Sequence, residues 1–347
     1  MNIVVLCGGL SGERNVSLSS GGRIAAALRS LGHRAALVDM YLGLESLPGP
    51  AEAAFDAPLP DTSSAAGTEP DLGAVRASRR YKSASLFGEG VLELCSDADI
   101  VFLALHGQCG EDGRVQAAFD LMGIKYTGSG YLGSALAMDK RLTKILASRE
   151  GVLTPGWRFY ARDSVNQALG SSLPCVVKPV NSGSSIGVKV ARTATELVSA
   201  LDAAAAEGDG VLVEDYIQGR EIQISILGGR ALPSIEILPD KGFYDYKSKY
   251  VPGEAREVTP AEISPEAEAR LADAALRVYG ALGLRSLARA DFILDGEGRF
   301  WFLEINTLPG MTPTSLAPQE AAAAGMSYER LCERIIELAL EDTEVHT

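Results

Sequence analysis

The sequence has no CxxC pair, and its five cysteines, Cys7, Cys95, Cys109, Cys175 and Cys332, stand far apart. Such spacing excludes a zinc ribbon or a disulfide framework and reads as the reduced thiols of a cytoplasmic protein. Positive charge is also short, since 32 Lys and Arg against 45 Asp and Glu leave a formal net charge of −13. That excludes nucleic acid as the main partner, because backbone binding needs a concentrated basic face. A single nucleotide is not excluded; it needs only a few well-placed cations. Long apolar runs are missing too. Stretches such as Ile100 to Leu105 are far too short to span a bilayer, so no membrane partner is expected. The first residues turn glycine-rich at Gly8-Gly9 without a basic leader, which reads as a first strand and not a signal peptide. Two nucleotide signatures are absent as well. There is no GxxxxGK[ST], and Gly8-Gly9-Leu10-Ser11-Gly12 is not GxGxxG, so a P-loop or a dinucleotide oxidoreductase is poorly supported.

What is present is a chain of 347 residues, 46% hydrophobic, long enough for two or three domains. Asn2 to Cys7, the glycine turn, a helical pattern through Gly21 to Leu31 and a strand at His33 to Val38 make a βαβ opening for a parallel sheet. Leu44 to Arg80 is rich in Pro, Ala, Ser and Gly and reads as a surface insertion. Ile100 to Leu105 predicts a buried strand that delivers His106 to its C-terminal end, where open α/β sheets gather ligands. Further on, the pattern predicts one helix over Met138 to Glu150 and strands over Cys175 to Lys178, Gly187 to Ala191 and Val211 to Asp215. A helix covers Ala194 to Ala206. Strands at Ile222 to Leu227 and Ala231 to Leu238 precede a polar loop, Pro239 to Arg256. A helix over Ser264 to Leu282, two strands around Asp295-Gly296 and terminal helices complete the chain.

Leu287 to Asn306 is the most informative segment. Asp295-Gly296-Glu297-Gly298 turns between two β-rich runs, which predicts Arg289 opposite Glu304 and Asp291 opposite Phe302. Alternation then places Arg289, Asp291, Glu304 and Asn306 on one face and Ala290, Phe292, Leu294, Trp301, Leu303 and Ile305 on a packed face. Three oxygen donors on one sheet face suit Mg²⁺, a hard cation held by few carboxylates, water and substrate phosphates. The plain alternative is a solvated face with one Arg–Glu pair. Thr307 to Thr312 is an unusual strand exit that brings a backbone N–H near this face, with Ser315 starting a helix.

A second cluster suits a triphosphate. Lys178 stands on a strand beside the small-residue loop Asn181 to Gly187, whose N–H groups are suited to phosphate oxygens. Lys140 and Lys144 share a helix face, the ordinary reading of which is a pair of solvated lysines. Glu13 in its glycine-rich turn reads equally well as a cap for the helix behind it.

Taken in order, these pieces resemble the D-alanine–D-alanine ligases of the ATP-grasp superfamily. The resemblance rests on GGLSGERNVSLSSG (Gly8 to Gly21), ALHGQCGEDGRVQ (Ala104 to Gln116), YTGSGYLGSALAMDK (Tyr126 to Lys140) and VVKPVNSGSSIGV (Val176 to Val188). VEDYIQGRE (Val213 to Glu221), YDYKSKY (Tyr244 to Tyr250), LARADF and EINTLPGMTPTSL continue it. Asn15 departs from the acidic residue expected there, while Glu13 is kept.

The resemblance implies an α/β, three-domain ATP-grasp fold with an N-terminal Rossmann-like parallel-sheet domain over 1–137, a central subdomain over 138–219 and a C-terminal one over 220–347. A lid loop spans 239–256. It implies that Lys140 and Lys178 contact ATP phosphates, that Glu214, Asp215, Tyr216 and Ile217 form the adenine hinge, and that Glu221 holds the ribose. Asp291, Glu304 and Asn306 would bind two Mg²⁺ ions, with Mn²⁺ as a substitute. Glu13 would orient the first D-alanine, with His106 beside it. Arg289 and the N–H of Gly310 would face the developing oxyanion. Ser315 and Leu316 would receive the second D-alanine. Lys249 would reach the transferred phosphate from the lid, and Glu13, Ser184 and Tyr250 would close it. A homodimer is also implied. The rival within the family is a ligase making D-alanyl-D-lactate or D-alanyl-D-serine, and Tyr250 favours the dipeptide-forming type. A binding protein without turnover would be expected to lose one of Lys178, Arg289, Asp291, Glu304 or Asn306; all are kept.

Overall fold

β1 (Asn2–Cys7) carries five consecutive buried apolar residues. A strand with both faces covered reads this way. Ile3, Val5 and Cys7 enter one core cluster, and Val4 and Leu6 enter another on the opposite face. α1 (Arg14–Ser30) connects it to β2 (Arg34–Asp39), and β3 (Ile100–Leu103) pairs on the other side, giving a parallel sheet of order β2-β1-β3. In the computed structural model residues 1–46, 51–62, 70–183, 186–239, 255–312 and 314–345 are described. α1 begins seven residues ahead of the expected pattern, because its first turns carry small polar residues, and Ser17, Ser19 and Ser20 are buried all the same. The chain leaves β1 through Gly8, at φ +74°, where a Cβ would stand 2.5 Å from the Asp39 carboxylate.

The segment expected as a surface insertion is partly core. Its described residues include two 3-10 turns, Gly43–Ser46 and Ala51–Phe55, and Ala54 and Phe55 are buried beneath the parallel sheet. Helices α2 (Leu72–Ser78), α3 (Val91–Asp97), α4 (Arg114–Met122), α5 (Tyr131–Met138) and α6 (Lys140–Arg149) follow in the order of the chain. The helix expected over Met138 to Glu150 is α6, and α5 is a further helix ahead of it. Asp139 stands between them with extended backbone, and its carboxylate accepts from Arg141 N and Leu142 N, which ends α5 and caps α6.

β4 (Trp157–Ala161), β5 (Cys175–Pro179), β6 (Lys189–Ala191) and β7 (Gly210–Asp215) form an antiparallel sheet of order β4-β7-β5-β6. α7 (Ala194–Glu207) covers it, started by a capping box between Thr193 and Glu196. β4 escaped the sequence pattern because its residues are half-exposed or exposed, with no buried face to reveal a period of two.

The remaining strands are β8 (Gly219–Leu227), β9 (Arg230–Ala231), β10 (Ile235–Pro239), β11 (Ala255–Val258), β12 (Leu287–Asp295) and β13 (Phe300–Asn306). They form an antiparallel sheet ordered β11-β10-β8-β12-β13, with β9 on β8. The single strand expected over Ala231 to Leu238 is thus two short ones. α8 (Pro265–Ala281) packs on one face against Ile222, Ile224, Ala290, Phe292 and Phe302. Phe292 and Phe302 are fully buried and meet at 5.4 Å. Truncating Phe292 to alanine would cost about 3–5 kcal/mol. α9 (Leu316–Ala323) lies over the other face, and α10 (Tyr328–Val345) runs back to α1.

Candidate active site

The hairpin of β12 and β13 keeps the expected residues together in a different register. Arg289 pairs with Asn306, Ala290 with Ile305 and Asp291 with Glu304; Phe292 then pairs with Phe302. Leu303 is the extra residue of a β-bulge, and this is what simple counting from the turn could not supply. The bulge flips the face of everything nearer the turn. Phe300 and Phe302 enter the core, whereas Trp301 is only partly buried and Leu303 lines a cleft, so the expected core face is corrected at both positions. The polar face survives. β8 extends it, since Gln223 pairs with Asp291 and Ser225 with Arg289. One rung thus reads Gln223, Asp291, Glu304, and the next Ser225, Arg289, Asn306.

Two clefts open on this face. The first, of about 740 Å³, is lined by Val176, Lys178, the run Glu214 to Ile217, Glu221, Asp291, Ile293, Leu303 and Glu304. The second, of about 610 Å³, brings together Glu13, His106, Glu111, Gln223, Arg289, Glu304, Asn306, Gly310, Ser315 and Leu316. Glu304 belongs to both. Ser184, Lys249 and Tyr250, with Tyr244 and the lid residues 240–254, lie outside the described residues, and Pro239, Ala255 and Arg256 belong to strands β10 and β11.

The cations are held by carboxylates. Lys178 Nζ lies 2.9 Å from Glu214 Oε2, and Lys144 Nζ 3.1 Å from Glu214 Oε1. Lys144 is fully buried, so the reading of a solvated lysine is corrected. Burial pulls its ammonium down to about 8, against the pull of Glu214. Burial also pushes the Glu214 carboxyl upward, but the two lysines outweigh it and hold it below the ordinary value. The Glu214 carboxylate is thus committed to the two lysines. Lys140 Nζ donates to Ser182 O at 2.6 Å and lies 3.1 Å from Glu304 Oε2, beside the small-residue loop. Arg289 grips Asp291 with both arms, Nε at 2.9 Å and Nη2 at 3.1 Å.

Glu13 stands at the start of α1 without capping it by a side-chain hydrogen bond. Its carboxylate instead reaches between two glycines. A Cβ on Gly107 or Gly183 would come within 2.8 or 2.6 Å of Glu13 Oε2. His106 is buried; its Nδ1 donates to Leu308 O at 3.0 Å and Ser20 Oγ lies 3.3 Å from Nε2. Burial lowers its pKa, outweighing the attraction of Glu13, so the ring is neutral and acts by placement. Sequence reasoning missed Glu111. Its carboxylate accepts from Gly107 N at 2.7 Å and Leu308 N at 3.1 Å, tying two loops of the cleft. Burial and nearby Glu13 push it up to about 8. Its only sequence signal is its place inside the HGQCGEDG run. Ser315 begins α9 and its hydroxyl accepts from Thr312 N at 3.0 Å, close against Gly310.

The donor set fits a hard divalent cation. Asp291 and Glu304 are cross-strand partners, and Asn306 is on the adjacent rung of the same face. No group of three His, Cys, Asp or Glu forms a metal cluster among the described residues. Two carboxylates and an amide leave room for water and phosphate, as Mg²⁺ prefers.

Residues 2–129 match the family described as D-ala D-ala ligase N-terminus, and residues 153–337 match D-ala D-ala ligase C-terminus. The chain belongs to the D-alanine–D-alanine ligase family. Within it, the chain is 43% identical over 343 residues to a D-alanine–D-alanine ligase of Pediococcus pentosaceus, covering 97% of each chain. It is 41% identical to that of Gloeobacter violaceus, covering 98% of this chain and all of the relative. A solved D-alanine–D-alanine ligase of Bacillus anthracis superposes with a TM-score of 0.77 at 32% identity, covering all of both chains. The same organism's enzyme complexed with ATP gives 0.75 at 31%, covering all of this chain and 99% of that one.

Proposed function

We propose that the chain joins two D-alanines, using ATP to activate the first carboxylate as an acyl phosphate. The observation that carries this is Glu304, which borders both the cleft of Lys178 and the Glu214 to Ile217 hinge and the cleft of Arg289, Gly310 and Ser315. The two clefts thus meet at Glu304, where the phosphoryl group would pass to the carboxylate of the first D-alanine. In this reading adenine rests against Tyr216, Ile217, Ile293 and Leu303, and Glu221 takes the ribose. Lys178 and Lys140 hold phosphate oxygens. Asp291, Glu304 and Asn306 would hold Mg²⁺, or Mn²⁺ in its place, which neutralises phosphate charge during transfer.

Glu13 holds the amino group of the first D-alanine, with neutral His106 fixing the wall behind it. The amine of the second D-alanine, seated at Ser315 and Leu316, attacks the acyl carbon; the new C–N bond replaces the C–O bond to phosphate, and inorganic phosphate and the amine's proton leave. The carbonyl oxygen gains negative charge, and Arg289 and Gly310 N–H take it up. Ser184, Lys249 and Tyr250 are assigned to lid closure on the strength of the family motif. The dipeptide would serve peptidoglycan precursors in the cytoplasm; among the described residues no helix is long and apolar enough to cross a membrane. The domain limits 1–137, 138–219 and 220–347 belong to the same reading.

A homodimer is part of the proposal. Among the described residues α4 leaves Leu121 and Met122 exposed and α5 leaves Tyr131 and Leu132 exposed, apolar side chains of the kind that contact surfaces bury.

The test is phosphate release from ATP with D-alanine, L-alanine, D-serine or D-lactate. Strong release is expected with D-alanine and little with L-alanine. Equal release with both alanines would remove the substrate assignment.

A further inference from the structure

The rung shared by Asp291 and Glu304 has a third member that the reading above does not use. Gln223 lies on β8 directly beside Asp291, is fully buried, and forms part of the wall of the second cleft. Its Nε2 donates to Glu221 Oε1 at 3.0 Å. That bond fixes the amide's orientation, because the flipped rotamer would set two oxygens against each other. Gln223 Oε1 is left with no hydrogen-bond partner among the described residues. A buried carbonyl without a donor is costly, so its position calls for a partner from outside the protein.

The packing says which partner. Gln223 pairs across β8 and β10 with Ile235, and Ile235 packs against Leu316, the first residue of α9. Gln223 also lines the same cleft as Ser315 and Leu316, whereas Glu221, which holds its Nε2, lines the other. Resting on the placement of the second D-alanine proposed there, we infer that Gln223 holds the amine of that second amino acid through its side-chain oxygen. The chemistry favours an amide at this point. The attacking amine must shed a proton before it forms the new C–N bond. A carboxylate beside it would stabilise the ammonium, whereas a neutral oxygen orients the N–H and leaves the nitrogen lone pair available for the acyl carbon. Gln223 is thus a substrate-contacting residue, and its grip on Glu221 ties that contact to the nucleotide cleft.

The experiment uses the full-length chain with ATP and Mg²⁺, and initial rates over a wide D-alanine range, which separate the KM values of the two D-alanines. Gln223→Met keeps the length and removes the acceptor; Gln223→Asn keeps the amide and withdraws the oxygen by one bond, which guards against a folding failure of the first. Both should raise the KM of the second D-alanine by roughly tenfold or more. The KM of the first D-alanine should stay within about twofold, and the KM of ATP, which loss of the Glu221 contact raises, should move less than that of the second D-alanine. A rise confined to ATP would mean that Gln223 serves only to position Glu221, and would overturn the inference, as would unchanged constants. Ser315→Ala separates the two levels. If it raises the second KM while the Gln223 variants do not, the role of Gln223 falls alone. If neither residue affects that KM, the placement of the second substrate falls with it.

Discussion

Asp291 and Glu304 face each other across neighbouring strands, and each is met by a different cation, Arg289 at 2.9 Å and Lys140 at 3.1 Å. The two cations belong to different parts of the chain, β12 and α6, and converge on one pair of carboxylates. Arg289 borders the cleft of Gly310 and Ser315, and the nucleotide cleft is lined without it. Arg289→Ala should therefore lower kcat by about 10²–10³ while the ATP KM moves only a few-fold, since removing one oxyanion donor costs that much elsewhere. Steady-state kinetics and ATP titration check this together. An unchanged kcat would take Arg289 out of the reaction.

The polar face of that hairpin was legible from alternation alone, because Arg289, Asp291, Glu304 and Asn306 stay on one side in the expected and the observed register. The register itself was not. A bulge at Leu303 leaves no mark in the residue pattern, and Trp301 looks as suited to a core as Phe302 does. Lys144 shows a different limit. Nothing in a helical i, i+4 pair tells a solvated lysine from one buried on a carboxylate contributed by a distant strand, here Glu214 on β7. The helix α5 was missed because its buried side is made of Gly133, Ser134 and Ala137, which leave no apolar period to read. Glu111 lay in plain view, but a carboxylate whose task is to hold two backbone N–H groups needs the second loop, at Leu308, to be seen.

Glu214 carries two buried lysines, and its loss should show in stability before chemistry. Glu214→Gln leaves the Lys144 and Lys178 ammonium groups without their counter-charge in a dry interior. Breaking a buried pair in this way costs about 3–5 kcal/mol. Adding Lys144→Met should recover part of that loss, because the two substitutions remove one network. Denaturant unfolding of the single and double variants at pH 7 provides the measurement; strictly additive losses would show that the three groups are not coupled.

Glu320 on α9 is fully buried, with Ser225 N donating to Oε1 at 2.9 Å and Ser225 Oγ bonding Oε2. Burial pushes its carboxyl up to about 8, the Ser225 bonds pulling the other way. The folded chain thus keeps this proton where the unfolded chain has lost it. Its contribution to stability is complete below the ordinary carboxyl range and drains away as pH rises toward 8, by up to about 1.4 kcal/mol per pH unit. Glu320→Gln, which keeps the shape and cannot ionise, should gain on the unmodified chain as pH goes from 5 to 8. Urea unfolding across that window checks it, and parallel pH profiles would mean Glu320 is ionised in the fold.

Gly183 tests whether Glu13 must approach the small-residue loop. A methyl group there would meet Glu13 Oε2 at 2.6 Å, yet the contact is with the far end of a flexible side chain and the Gly183 backbone is not in the left-handed region. The fold should therefore accept Gly183→Ala with little change in stability, while the carboxylate is forced off its place between Gly107 and Gly183. If Glu13 holds the amine of the first D-alanine, the KM for that substrate should rise by roughly tenfold, on the scale of one charge-assisted hydrogen bond. Nucleotide binding should change much less, because neither Gly183 nor Glu13 lines the cleft of Lys178 and the hinge. Kinetics with separate constants for the two D-alanines decide the matter, read against an unfolding curve of the same variant. A selective rise in the ATP KM would instead place the closeness of Glu13 and Gly183 in the service of the phosphate loop.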